Sequence, residues 1–174
     1  MDVMESFVWW STAVVVTLAA AIDIFTRRIP NWLSLPYLAV GIAVSGFSGG
    51  PAGLARSLEG IGIAVGVTGI LCYLRALGMG DLKLLAAVGA WIGPGQLVMA
   101  LVVTGMAGGF LAVGYALWRG SLKKALGGTL RLIVEMPRRP FRPHPTLALG
   151  HAAAASIPYA PAIALGTMFS FLTR

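Results

Sequence analysis

Charged side chains are the class of residue that this sequence lacks most. Only 11% of its 174 residues are Asp, Glu, Lys or Arg, while 57% are hydrophobic. A soluble domain carries about 25% charged residues, because even a small domain must cover its surface with polar groups. The shortage argues against an ordinary soluble domain. It predicts one membrane domain over residues 1–174, in which contact with membrane lipid replaces the polar coat.

Cysteine is nearly absent as well, since Cys72 is the only one in the chain. A single cysteine excludes an internal disulfide and any zinc site made of several thiolates. Cys72 lies within an apolar run, where we expect a small buried hydrophobic side chain. His144 and His151 have no acidic neighbour, so we predict a solvated loop there, and no metal or other cofactor for the chain.

Apolar residues cluster in segments that predict an all-α bundle of six transmembrane helices. A full crossing needs about 20 residues, and the second and fourth segments are shorter than that. Gly93-Pro94-Gly95 separates the fourth segment from the fifth, because this tripeptide cannot comfortably continue a helix. The six segments are residues 7–25, 32–47, 60–77, 82–93, 96–118 and 152–172.

Glycines recur at a spacing of four inside these predicted spans. In lipid, such pairs let two helix backbones approach each other closely, so we expect these glycines to mediate helix packing. The pairs are Gly62 with Gly66, Gly89 with Gly93, and Gly105 with Gly109.

The net charge of +7 comes from basic residues that lie between the apolar runs. This placement fits loops that face anionic lipid, so we expect no nucleic-acid partner. Odd-numbered loops hold nearly all of the basic residues, which predicts a multi-pass membrane protein with those loops in the cytoplasm and both termini outside. Residues 120–150 form a basic cytoplasmic loop, in which residues 121–136 are predicted to form an interfacial amphipathic helix.

Two acidic residues stand apart from the rest because they fall within or at the edge of predicted spans. Asp23 lies near the end of the first span, and Asp81 opens the fourth. With a rise of about 1.5 Å per helical residue, both carboxyls lie at a similar depth, slightly inside the cytoplasmic face. An ionisable group in a span costs about 2.5–3.5 kcal/mol to insert and is therefore a functional candidate.

Two carboxyls at one depth suggest a shared site with one shared proton. The ionised carboxyl can activate water as a general base, and the protonated one can polarise a peptide carbonyl as a general acid. Asp81 lies at a helix N-terminus, where the dipole favours the anion. We therefore expect Asp23, near a helix C-terminus, to hold the proton in the resting state.

Three short motifs lie in different predicted spans and their flanks. They are Gly78-Met79-Gly80-Asp81 with Lys83, Asp23 with Pro30-Asn31, and Pro158-Tyr159. The first is similar to the G-x-G-D motif of the type IV prepilin peptidases, which are intramembrane aspartic peptidases. The second resembles the first catalytic motif of that family, and the third resembles a proline-aromatic motif in its last span. The motifs occur in the family's order and extend over nearly the whole chain.

The resemblance implies roles for the residues of these motifs. Asp23 and Asp81 would be the catalytic pair, and Gly78 and Gly80 would let the backbone turn and the substrate approach. Lys83 would hold an acidic group of the substrate or bias the charge of Asp81. The other motif residues are expected to shape the backbone or contribute to substrate binding, and they are Pro30, Asn31, Pro158 and Tyr159.

The resemblance also implies a substrate and a reaction. Members of the family cleave the basic leader peptide from prepilins or pseudopilins on the cytoplasmic side of the membrane. The larger members have an N-terminal domain with cysteine pairs and also methylate the new N-terminus. With its single cysteine, this chain is similar to the short form associated with tight-adherence (Flp) pili. We therefore do not expect N-methyltransferase activity.

Several alternatives remain open from the sequence alone. Asp81 can serve as a helix N-cap, Asp23 can reach the interface beside Arg27, and Lys83 can extend its ammonium to the membrane surface. Intramembrane carboxyls also occur in transporters and proton relays. A transporter of this size would need internal symmetry or self-association, and the sequence contains no repeat. A further alternative is a membrane component of pilus assembly without enzymatic activity.

Overall fold

The computed structural model of the chain describes residues 3–73, 77–118 and 159–173. Within these ranges every regular element is an α-helix, which confirms the predicted all-α fold. The described residues form four helices, namely α1 (Val3–Thr26), α2 (Asn31–Tyr73), α3 (Met79–Trp118) and α4 (Ala160–Leu172). The predicted basic loop 120–150, its amphipathic helix, Pro158 and both histidines lie outside the described residues.

Two glycines interrupt the longest helices. The backbone is non-helical at Gly50 (φ 58°, ψ −147°) in α2 and at Gly93 (φ 77°, ψ 179°) in α3. Glycine adopts these positive φ values readily because it has no Cβ. Pro51 and Pro94 follow directly, and neither has an N–H group with which to continue the hydrogen bonds of the preceding helix. The interruption predicted at Gly93 is therefore confirmed.

Three of the helices, α1, α2 and α3, are long and apolar enough to cross a membrane. The fourth helix, α4, is apolar but has only 13 residues. Large apolar side chains remain exposed on the helices, including Phe47 and Phe110, as contact with lipid requires. The interruptions divide α2 into residues 31–49 and 51–73, and α3 into residues 79–92 and 94–118. These four segments occur in the same order as the second to fifth predicted apolar segments.

The segment 79–92 forms the centre of the fold, and its side chains are buried from residue 84 onward. Both halves of α2 pack along it. A Cβ at Gly41 would lie 2.6 Å from the Trp91 ring, and a Cβ at Gly89 would lie 2.8 Å from the carbonyl oxygen of Gly60. A larger side chain at Gly41 or Gly89 would prevent these contacts, so both positions require glycine. Because Asp81 lies in the first turn of this segment, the same packing holds Asp81 in place.

Close helix contact through glycine is confirmed for Gly89 but not for the other predicted positions. Gly93 forms the interruption in α3 instead. The described residues give no such contact for the remaining four glycines, because a Cβ on any of them would meet no described atom within 4 Å; they are Gly62, Gly66, Gly105 and Gly109. A spacing of four places small residues on one helix face, but it does not determine whether another helix covers that face.

The short helix α4 lies against both α1 and α3. On one side, the rings of Phe171 and Trp9 approach with their centroids 5.7 Å apart. On the other side, Gly166 lies so close to α3 that a Cβ there would collide with Ala100 O and Thr104 Oγ1. This packing brings the first residue of α4 to the last turn of α1, where Asp23 lies.

Candidate active site

Asp23 and Asp81 come together at one end of the bundle. Asp23 lies in the last turn of α1 and is only 6% exposed. Asp81 is the third residue of α3 and is half-buried. The two carboxyls are close enough for their charges to interact. Two acidic side chains from separate helices therefore share one partly buried site.

The carboxyl of Asp23 is held by the start of α4. Its Oδ2 accepts a hydrogen bond of 3.2 Å from the N–H of Ala160. Tyr159 occupies the N-cap position of α4 and provides no side-chain cap. The first N–H groups of a helix have no intrahelical partner. Asp23 satisfies one of them from another helix, so it caps the N-terminus of α4.

The loop that follows α1 does not pair with the Asp23 carboxyl. Arg27 has a positive φ of 52°, and its N–H donates to the backbone oxygen of Asp23 over 2.8 Å. Arg27 and Arg28 are exposed, whereas the Asp23 side chain is buried against Ala160. The alternative in which Asp23 reaches the interface beside Arg27 is therefore wrong.

The carboxyl of Asp81 reaches back to the residue that precedes α3. Its Oδ2 accepts a hydrogen bond of 3.3 Å from the N–H of Gly78. An acidic side chain at the third helical position that bonds the N-cap N–H is the acidic half of a capping box. Asp81 thus helps to cap α3 from within its first turn, and the alternative in which Asp81 is itself the N-cap residue is wrong. The sequence placed the start of this helix too late, at residue 82.

The two glycines of the G-x-G-D motif make room for close contacts. A Cβ at Gly78 would lie 3.0 Å from Asp81 Oδ2, and a Cβ at Gly80 would lie 3.2 Å from the Cβ of Ile29. Neither glycine has a positive φ. The structure therefore gives these glycines a role in close packing, rather than in an unusual backbone turn. Buried Ile29 docks the loop between α1 and α2 onto the start of α3.

Lys83 and Asn31 were predicted separately, and the structure joins them. Lys83 Nζ donates a hydrogen bond of 2.9 Å to Asn31 Oδ1. Asn31 is the first residue of α2, and the preceding Pro30 accepts from the N–H of Leu33 over 3.1 Å as that helix begins. The ammonium of Lys83 therefore has a partner within the protein instead of only reaching for the membrane surface.

Tyr159 lies half-buried beside the two aspartates. Its ring packs against Gly108 of α3, where a Cβ would lie 2.5 Å from Tyr159 Cε1. Its hydroxyl lies within electrostatic range of the Asp81 carboxyl. The start of α4 is thus in contact with both carboxyl-bearing segments.

Sequence reasoning missed several groups at this site. Cys72 is half-buried, and its thiol donates to the carbonyl oxygen of Gly78 over 3.4 Å, so the expectation of a simple buried hydrophobic residue was incomplete. Ala160 acts through its backbone N–H, and because nearly every residue has such a group, the sequence does not mark this one. Ile29 was detectable in principle, since it is an isolated apolar residue between Arg28 and Pro30.

Among the described residues, each of the two carboxyls has one oxygen without a hydrogen-bond partner. Within the described residues, hydrogen bonds engage only Oδ2 of Asp23 and Oδ2 of Asp81. The other oxygen of each group is available to hold a proton, a water molecule or a carbonyl group. In the same part of the chain, no group of three or more His, Cys, Asp or Glu side chains is arranged to hold a metal ion.

Comparison with known proteins gives a family match that covers both aspartates. The sequence model of the type IV leader peptidase family matches residues 10–113, which is more than half of the chain. No solved structure matches the chain significantly.

Curated relatives share one region with the chain. The prepilin leader peptidase/N-methyltransferase of Burkholderia pseudomallei (strain K96243) is 37% identical over 114 residues, covering 60% of this chain and 35% of the relative. The protein of the same name from Escherichia coli (strain K12) is 34% identical over 113 residues, covering 59% and 46%. A type 4 prepilin-like proteins leader peptide-processing enzyme from Escherichia coli O78:H11 is 27% identical over 126 residues, covering 63% and 47%. The matched region is about a third to a half of each relative's length.

Proposed function

The chain belongs to the type IV leader peptidase family, and from that premise we propose that it is an intramembrane aspartic endopeptidase. Its substrates are type IV prepilins or pseudopilins of the Flp type, from which it removes the basic leader peptide. The names of the relatives refer to prepilin leader peptides and support this substrate class. The chain matches only part of those relatives, so we confine the proposal to peptide hydrolysis and leave methylation out of it.

The observation that carries the proposal is the meeting of Asp23 and Asp81 from two different helices. Two carboxyls whose charges repel each other do not easily ionise together, so the proposed mechanism places one shared proton between them. The ionised carboxyl removes a proton from the attacking water, and the protonated carboxyl donates its proton to the oxygen of the scissile carbonyl. These steps produce a tetrahedral intermediate and require no cofactor.

The expectation that Asp23 holds the shared proton rested on its position near the end of α1. Its carboxyl also contacts the first turn of α4 through Ala160, while Asp81 lies in the first turn of α3. The positive end of a helix dipole is therefore next to each carboxyl. Asp23 thus lies beside the negative end of α1 as well as the positive end of α4, so the helix dipoles favour neither residue as the holder of the shared proton.

We propose six membrane segments for the whole chain, with both termini on the extracytoplasmic side. These segments are α1, the two halves of α2, the two halves of α3 and the last span, of which α4 is the described part. The breaks at Gly50 and Gly93 support this division. With the basic loops in the cytoplasm, both aspartates lie near the cytoplasmic face of the inner membrane, where the leader of a prepilin is accessible.

Co-expression with an Flp-type prepilin tests the proposal. Asp23→Asn and Asp81→Asn preserve the shape of each side chain but cannot share a proton, so we expect each to reduce cleavage by at least about 10²-fold. Glu59→Gln is the matched control. Glu59 lines a depression with Gly95 and Thr173, at the opposite end of α4 from Ala160. Replacing its carboxylate by the glutamine amide should therefore leave cleavage unchanged.

Cleavage is measured as the loss of the leader on an immunoblot, and mass spectrometry of the product identifies the cleaved bond. Membrane insertion of each variant is measured in parallel. Full cleavage by a correctly inserted Asp23→Asn or Asp81→Asn variant would remove that aspartate from the mechanism.

A further inference from the structure

Gly108 of α3 is the point at which the start of α4 docks. A Cβ at this position would lie 2.5 Å from Cε1 and 3.3 Å from Cδ1 of Tyr159. The ring therefore lies directly on the glycine backbone. The adjacent Gly109 differs sharply, because a Cβ there would meet no described atom within 4 Å.

The position of the Tyr159 ring determines where the first N–H of α4 points. Tyr159 immediately precedes Ala160, which is fully buried and donates its N–H to Asp23 Oδ2 over 3.2 Å. The carbonyl oxygen of Tyr159 accepts from the N–H of Ile163 over 3.1 Å, which closes the first turn of the helix. A displacement of the ring is therefore transmitted through one peptide unit to the bond with Asp23.

The rest of α4 is fixed independently on α3. Gly166 is tightly packed against Ala100 and Thr104 of that helix. Gly166 lies six positions after Ala160, which is about 9 Å along a helix. Because this second contact anchors α4, a change at Gly108 acts mainly on the start of the helix rather than releasing it as a whole.

We propose that Gly108 and Tyr159 are a positioning pair that holds the Ala160 N–H against the carboxyl of Asp23. The glycine receives the ring, the ring sets the first turn of α4, and the backbone N–H orients the carboxyl. This inference rests on the proposed function, since it assigns a role in the same site. Both residues act through Asp23 and are not themselves catalytic in this assignment.

An added methyl group at Gly108 tests this role. Ordinary carbon contacts lie at about 3.5–4.0 Å, so the ring must move by about 1 Å. A misplacement of about 1 Å at an active site can cost roughly 10²-fold in rate. We therefore expect Gly108→Ala to reduce kcat about 10- to 100-fold with little change in KM, because the Asp23 carboxyl loses its orientation while the substrate still binds.

Gly109→Ala is the matched control, because it makes the same chemical change one residue away in open space. Both purified variants are assayed on an Flp-type prepilin, and their Tm values are compared. We expect Gly109→Ala to cleave as the wild type does. If Gly108→Ala also cleaves at the wild-type rate, the positioning role is overturned while the proposed function stands. If the wild type fails to cleave, the proposed function fails and the positioning role falls with it.

A double-mutant cycle separates positioning from general misfolding. In the Tyr159→Ala background the ring is gone, so adding Gly108→Ala should cause no further loss of kcat. General disruption of α3 by the methyl group would instead lower kcat or Tm in both backgrounds. Additive losses would overturn the proposal.

Discussion

Lys83 Nζ donates a hydrogen bond to Asn31 Oδ1 over 2.9 Å, which ties the first turn of α3 to the first residue of α2. Lys83 lies two positions after Asp81, and Asn31 follows the loop that leaves Asp23. The contact between Ile29 and Gly80 joins the same two segments nearby. The bond therefore helps to keep the two carboxyl-bearing segments in register.

This bond predicts that Lys83 and Asn31 act as one unit. We expect Lys83→Met and Asn31→Ala each to lower kcat/KM about fivefold, since a hydrogen bond to a charged group at a partly exposed site contributes about 1 kcal/mol. The double variant should be no worse than the more impaired single variant. Asn31→Asp should retain more activity than Asn31→Ala, because a carboxylate still accepts from the ammonium.

Steady-state cleavage of a prepilin by the wild type and these four variants provides the measurement. Losses that multiply in the double variant would show that Lys83 acts separately from Asn31, for example on an acidic group of the substrate. The original expectation for Lys83 would then be preferred.

A second prediction concerns Gly78, whose absent side chain leaves room for Asp81. A Cβ at Gly78 would lie 3.0 Å from Asp81 Oδ2, so Gly78→Ala must displace the carboxyl by a few tenths of an ångström. We expect a lower kcat with little change in Tm, because the contact involves only this side chain. Gly49→Ala is the control, since a Cβ there meets no described atom within 4 Å. Equal cleavage rates for the two variants would contradict the prediction.

A third prediction concerns stability. Gly60 and Gly89 face each other where α2 crosses the central segment of α3, and a Cβ on either would collide with the backbone of the other. Overpacking of this kind costs about 1–3 kcal/mol. Gly60→Ala and Gly89→Ala should therefore lower Tm in detergent relative to Gly62→Ala, which adds its methyl group in open space. A Tm for either variant equal to that of Gly62→Ala would show that the helices separate at little cost.

Hydrophobic patterning predicted the helices well because lipid exposure demands long apolar runs. The break at Gly93 was also predictable, since Gly93-Pro94-Gly95 combines a flexible residue with one that lacks an N–H. The start of α3 was placed three residues late, at residue 82 instead of Met79. Asp81 caps the N–H of Gly78, and the helix therefore begins at Met79 rather than after Asp81. A pattern of apolar residues does not reveal such a capping bond.

The partners of the two aspartates could not be derived in the same way. Asp23 is bonded by the backbone of Ala160, which lies 137 positions away in the sequence. A backbone N–H is present at nearly every residue, so no residue type marks this one. The glycine pairs failed for a related reason, because sequence spacing identifies a small face but not the helix that covers it. The sequence did predict that the two carboxyls lie at one level, since helix rise gives each a similar depth. The structure agrees in placing Asp23 in the last turn of α1 and Asp81 in the first turn of α3, at one end of the bundle.

The last prediction concerns the orientation of the membrane segments. Six segments with basic loops inside place residues 120–150 in the cytoplasm and the break at Gly50 outside. A fluorescent protein that folds only in the cytoplasm should therefore give a signal when inserted between residues 120 and 150, and a periplasmic phosphatase should be active when inserted at residue 49. Immunoblots of both fusions control for expression. The opposite pattern would place Asp23 and Asp81 at the extracytoplasmic face, where they could not remove a leader that remains in the cytoplasm.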